Sequence, residues 1–80
     1  MRIEVTYYAQ LREAAGCETE HIVVNDSCTA AALYQRCTEA HSLPFSEAHL
    51  RIACNDAFVD WSSPLQDGDR VAFIPPVSGG

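Results

Sequence analysis

Eighty residues make one small domain with a marginal core, in which each large apolar side chain counts. The net charge is −6 and the five basic residues, Arg2, Arg12, Arg36, Arg51 and Arg70, are scattered; this argues against nucleic acid or an anionic membrane and favours a protein partner with a basic face. No apolar run approaches the ~18 residues of a bilayer span, and Glu4 interrupts a leader-like start, so a cytoplasmic chain is expected.

Residues 2–9, RIEVTYYA, alternate Ile3, Val5 and Tyr7 against Arg2, Glu4 and Thr6, the period of a half-buried strand. Residues 9–16, AQLREAAG, switch to helix formers and stop at Gly16. Residues 18–24, ETEHIVV, end in β-branched side chains and predict a second strand, which could form a hairpin with the first.

Residues 25–41 then predict the one long helix, with Thr29 as its N-cap and Asp26 or Ser27 as alternatives. Ala30, Leu33, Cys37 and Ala40 form its expected buried stripe, and Pro44 breaks it.

Residues 50–55, LRIACN, alternate again and form a third strand. Asn55-Asp56 turns the chain into a short fourth strand over 57–61. The 62–70 stretch is dense in turn formers, with Gly68 between Asp67 and Asp69 at a positive-φ position and Trp61 expected to pack beneath it. Residues 71–74 are the last strand, ended by Pro75 and Pro76.

The order places the first and last strands side by side and parallel. The fold class is α+β: a β-grasp, ubiquitin-like domain over 1–74, a mixed sheet of four to five strands covered by one long helix, followed by a flexible C-terminal tail over 75–80. Val71 and Phe73 share one phase with Ile3, Val5 and Tyr7, so Tyr8 and Ile74 fall on the face away from the helix.

The four cysteines, Cys17, Cys28, Cys37 and Cys54, contain no C-x-x-C pair and no C-x4-C-x2-C run, which speaks against zinc, thioredoxin-like and iron–sulfur chemistry. His21, His41 and His49 stand apart, and no metal site is expected. Free thiols fit a reducing compartment. Cys37 and Cys54 suit the core as small hydrophobes, whereas Cys17 and Cys28 are expected at the surface.

The tail, PPVSGG, has little to offer a core. Extended at about 3.1 Å per residue, it projects roughly 18–20 Å. Two prolines stiffen its base, and Gly79 and Gly80 let the backbone enter a channel where a Cβ would clash. A terminal carboxylate is anionic at neutral pH. It can therefore attack the α-phosphate of ATP on a partner enzyme, giving an acyl-adenylate that a sulfur donor or an amine can capture. The domain supplies no base, metal or phosphate loop of its own, so it reads as a carrier. All basic residues are arginine and none is lysine. Codon usage accounts for this simply; chemically, a guanidinium does not attack an activated acyl group as a deprotonated lysine can.

The stretch VAFIPPVSGG with the preceding PLQDGDR closely resembles the C-terminus of the molybdopterin synthase small-subunit family. YYAQLRE, CTAAALYQ and ACNDAFV resemble its first strand and helix, the start of its long helix, and its middle strands. The likeness runs through the whole chain, and PPVSGG is its specific part.

The resemblance implies a sulfur carrier whose catalytic group is Gly80, adenylated by a ubiquitin-activating-like adenylyltransferase that uses ATP, with no cofactor held by the chain itself. A sulfur donor protein then yields the thiocarboxylate. The tail enters the active site of the large subunit, in a heterotetramer, and gives its sulfur to cyclic pyranopterin monophosphate; two deliveries build the dithiolene of molybdopterin. Partner contacts are implied for Tyr8, Phe58 and Ile74 as an apolar docking patch, and for Pro75, Pro76, Val77, Ser78 and Gly79 along the tail. The rival readings are a thiamine-pathway sulfur carrier, disfavoured by the double proline, a lysine-conjugating protein modifier, and an inert interaction module.

Overall fold

Alternation decides the first strand. In β1 (Arg2–Tyr7), Ile3, Val5 and Tyr7 are fully buried while Arg2, Glu4 and Thr6 face away. The structure, a computed structural model, describes residues 1–76. Five strands form one mixed sheet in the order β2-β1-β5-β3-β4, with β2 at Thr19–Val23, β3 at Arg51–Cys54, β4 at Ala57–Val59 and β5 at Arg70–Ile74. β1 runs antiparallel to β2 and parallel to β5, with Val5 beside Val71 and Tyr7 beside Phe73. β5 is thus the central strand, bonded on its other side to β3.

The β1–β2 connection is a helix, α1 (Ala9–Ala15), closed at Gly16, whose φ of 77° is left-handed and whose N–H donates to the Arg12 carbonyl. The β3–β4 hairpin turns on Asn55 and Asp56, both left-handed at φ 51° and 71°. Two positive-φ residues match the twist of the flanking strands, and Asn and Asp tolerate that region best after glycine. Gly68 occupies the same region at φ 86° in the turn before β5, with the Arg2 N–H bonded to Asp67 Oδ1 at 2.7 Å.

α2 (Ala30–His41) starts where Thr29 Oγ1 accepts the Ala32 N–H at 3.2 Å. It covers one face of the sheet through Ala30, Leu33, Tyr34 and Cys37. Phe73 lies between two rings, edge-on to Tyr34 at 4.9 Å and stacked on Trp61 at 6.0 Å. Truncating a core side chain such as Leu33 to alanine costs about 2–5 kcal/mol. That is a large part of what a domain this size has to lose.

Several expectations change. α2 is the one long helix expected, the helix formers of residues 9–16 form the short α1, and a 3₁₀ turn at Glu47–His49 is added. Ala40 is exposed, because the stripe runs 30, 33, 34, 37 and leaves position 40 at its edge. α2 ends at Ser42, in the left-handed region at φ 54°, two residues before Pro44. Cys28 is buried and Cys54 only half-buried, since Cys28 N–H and C=O tie the segment before α2 to Asn25 and Leu65. Trp61 packs its ring on Tyr34 of α2 and on Phe73.

A polar seam joins the edge strand to the helix end. The Tyr7 hydroxyl donates to Glu20 Oε2 at 2.5 Å, and His41 Nε2 meets the same oxygen at 2.6 Å. Burial pushes the Tyr7 phenol far above its usual range and raises the Cys37 thiol beside it to about 11.

Candidate functional site: the tail base and the uncovered sheet face

With α2 on one side, the even positions of β1 and β5 are left on the other. Register lines them up: Thr6, Ala72, Ala53 and Phe58 form one row across four strands. One step along, past the Tyr7–Phe73 pair, Tyr8 lies next to Ile74, which pairs with Arg51. The alanines keep the middle of this surface shallow, so the larger side chains stand around it.

The structure thereby brings Tyr8, Ile74 and Phe58 to one face. Phe58 is 66% exposed and Tyr8 48%; Val23, on the edge strand β2, is the other large exposed apolar residue among the described residues. Ile74 is half-buried. The Arg51 guanidinium sits 5.7 Å over the Phe58 ring, holding it at the rim and adding a charge there. Phe58 and Tyr8 thus present exposed apolar surface on the side of the sheet away from α2.

β5 delivers the tail to the edge of that face. Pro75 is buried and Pro76 exposed, so the first proline anchors the base and the second begins the exit. The loop after β1 turns sharply through Ala9, a non-glycine residue at φ 49°, and swings α1 beside this exit. An open cleft of about 610 Å³ results, lined by Tyr8, Gln10, Glu13, Ile74, Pro75 and Pro76. Gln10, Glu13 and Arg51 were not singled out from the sequence. Helical spacing of 9, 10 and 13 puts the α1 residues on one side, but only the tertiary placement of α1 brings that side to the tail. Val77, Ser78, Gly79 and Gly80 lie outside the described residues.

The turn feeding β5 is rigidly wired. Partial burial opposes ionisation of Asp69, yet hydrogen bonds from the Gln66 N–H at 2.8 Å and the Asn55 amide at 3.0 Å outweigh it and hold the carboxyl low. Burial and this neighbouring carboxylate push the Cys54 thiol up to about 11. The Arg70 N–H donates to Asn55 Oδ1 at 3.0 Å, locking β5 to the β3–β4 hairpin. Among the described residues no cluster of His, Cys, Asp and Glu could hold a metal, and no helix is long and apolar enough to cross a membrane. The described part of the candidate site is a surface and a strand end.

The chain is similar to known proteins along its whole length. The molybdopterin synthase sulfur carrier subunit of Escherichia coli K12 is 37% identical over 81 residues, 98% of this chain and 99% of the relative. In the solved complex of subunits 1 and 2 of the molybdopterin-converting factor from Helicobacter pylori 26695, a chain 31% identical superposes with a TM-score of 0.71, each chain covered in full. The crystal structure of SAMP1 from Haloferax volcanii superposes at 0.85 with 24% identity, over all of both chains, and supports the β-grasp fold. The ThiS family model matches residues 5–80, from the first strand through the glycine tip, and the chain belongs to the ThiS family.

Proposed function

We propose that this chain is the sulfur carrier subunit of a molybdopterin synthase, with the Gly80 carboxylate as its working group. The carboxylate oxygen attacks the α-phosphorus of ATP on an adenylyltransferase, and pyrophosphate leaves. Sulfide released by a donor protein then adds to the acyl carbon, AMP departs and one proton is lost, leaving a thiocarboxylate. In the large subunit, that sulfur passes to cyclic pyranopterin monophosphate, and water restores the carboxylate. The catalytic groups for each step belong to the partners, in the cytoplasm, and the synthase is a heterotetramer with a small subunit at each end.

One observation carries the reading. The central strand ends in a buried proline beside a sheet face that α2 leaves uncovered. A partner that grips Tyr8, Phe58 and Ile74 receives the tail in a fixed direction, with Val77, Ser78 and Gly79 threaded ahead of Gly80. Preorganisation of this kind lowers the entropy lost on docking.

The test is reconstitution with the large subunit, pterin substrate and activating enzyme. Removing Gly80 abolishes sulfur transfer while the melting midpoint stays put. Transfer that survives the deletion overturns the reading. A modifier shares the adenylate but ends in an isopeptide bond to a lysine of another protein, so the captured product separates the two.

A further inference from the structure

An activated glycine carboxyl is an acylating agent, and the amines nearest to it are those of its own chain. We propose that this chain presents no reactive amine to its own activated tail, so that Gly80 forms no amide within the chain and copies of the chain do not join to one another through amide bonds. The inference rests on the carrier reading above for the activation of Gly80.

Three features support it. Every basic position, Arg2, Arg12, Arg36, Arg51 and Arg70, is arginine, so no lysine amine is available anywhere in the sequence. Guanidinium stays protonated at any physiological pH and has no lone pair to attack with.

The α-amine of Met1 is the remaining candidate, and it is engaged. Its ammonium donates to the Val24 carbonyl at 2.6 Å and lies 3.6 Å from Asp26, on a residue whose side chain is 7% exposed. It is also at the wrong end. β1 and β5 are parallel, so the tail leaves beside Tyr8 while Met1 precedes the other end of the strand. Seven extended residues separate Met1 from Tyr8, about 23 Å. The six residues after Ile74 span at most about 20–22 Å even when straight, and the tail would first have to reverse.

The tail base itself is the vulnerable place. Gln10 shares the cleft with Pro75 and Pro76. Four residues beyond Pro76 cover up to about 13 Å, enough to return to an amine placed on α1. There the amine nitrogen would bond to the Gly80 carbonyl carbon, the bond to the leaving group would break, and one proton would go to solvent. Gln10 is exposed, and lysine has nearly the same helix propensity as glutamine, so Gln10→Lys is expected to fold.

The experiment uses the full chain carrying an alkyl thioester at Gly80, installed by intein thiolysis, in amine-free buffer under reducing conditions. This needs no activating enzyme. Failure of adenylation in a separate pyrophosphate-exchange assay would count against the carrier reading and leave this result standing. The wild type is expected to form no amide: its thioester, including any exchanged onto a cysteine thiol, ends as the free carboxylate. Gln10→Lys is expected to form an internal amide, one water lighter than the free acid, about tenfold or more above any wild-type amount, given the millimolar effective concentration of a short tether. Fragment spectra place the new bond. Met1-linked dimers or rings in the wild type at a comparable rate would overturn the proposal. So would a Gln10→Lys chain that stays as unreactive as the wild type.

Discussion

Truncating Phe58 to alanine separates docking from folding. The ring is 66% exposed, so about two thirds of a phenylalanine's roughly 200 Å² is open to a partner. At about 25 cal/mol per Å², covering some 130 Å² contributes about 3 kcal/mol to association. That corresponds to roughly a hundredfold change in Kd. Folding loses only the covered third, roughly 70 Å², and the Arg51 contact at 5.7 Å, together about 2 kcal/mol. The melting midpoint should therefore drop by no more than about 8–16 °C. Titration calorimetry against the large subunit, paired with a thermal melt, reads both quantities. An unchanged Kd would remove Phe58 from the docking surface. A collapse of the fold would show that the ring supports the hairpin rather than a partner.

Thr29→Ala removes the side-chain acceptor of the Ala32 N–H and should cost about 1 kcal/mol in denaturant unfolding, with partner binding intact. His41→Ala takes away the 2.6 Å partner of Glu20 and the edge-on contact with Tyr7; a loss of about 1 kcal/mol is expected, and a double-mutant cycle with Tyr7→Phe should show coupling. The Cys37 thiol, raised by burial from 9.0 to about 11, binds its proton more tightly folded than unfolded. Its contribution is therefore complete below pH 9 and is lost as pH rises toward 11. Unfolding curves across that window under reducing conditions should slope downward, and less steeply for Cys37→Ala.

Period-two alternation named every buried residue of β1 and the phase of β5. The same phase argument sent Tyr8 and Ile74 to the uncovered face, because which side the helix takes follows from which side is apolar. Thr29 was legible as a cap for a local reason: its hydroxyl reaches a backbone group three residues on. What escaped was long-range. Tyr34 joins the core through edge-on contacts with Phe73 and Trp61, which are distant in sequence. The Tyr7–Glu20–His41 seam joins two strands and a helix end that no spacing rule connects. Pro75 read as a tail residue, yet the position after a central strand is still covered by the body. Gln10 and Glu13 became part of the tail cleft only because the left-handed turn at Ala9 redirects α1.

The central claim is that Gly80 carries sulfur. The most direct measurement is a fragment mass spectrum of the C-terminal peptide after incubation with ATP, the activating enzyme and a sulfur donor. Intact mass is insufficient, because exchanging oxygen for sulfur adds nearly the same mass as oxidising Met1 or a cysteine. The account predicts sulfur in place of one carboxyl oxygen, located on Gly80. An unmodified Gly80, with a known carrier thiolated in the same mixture, would contradict it.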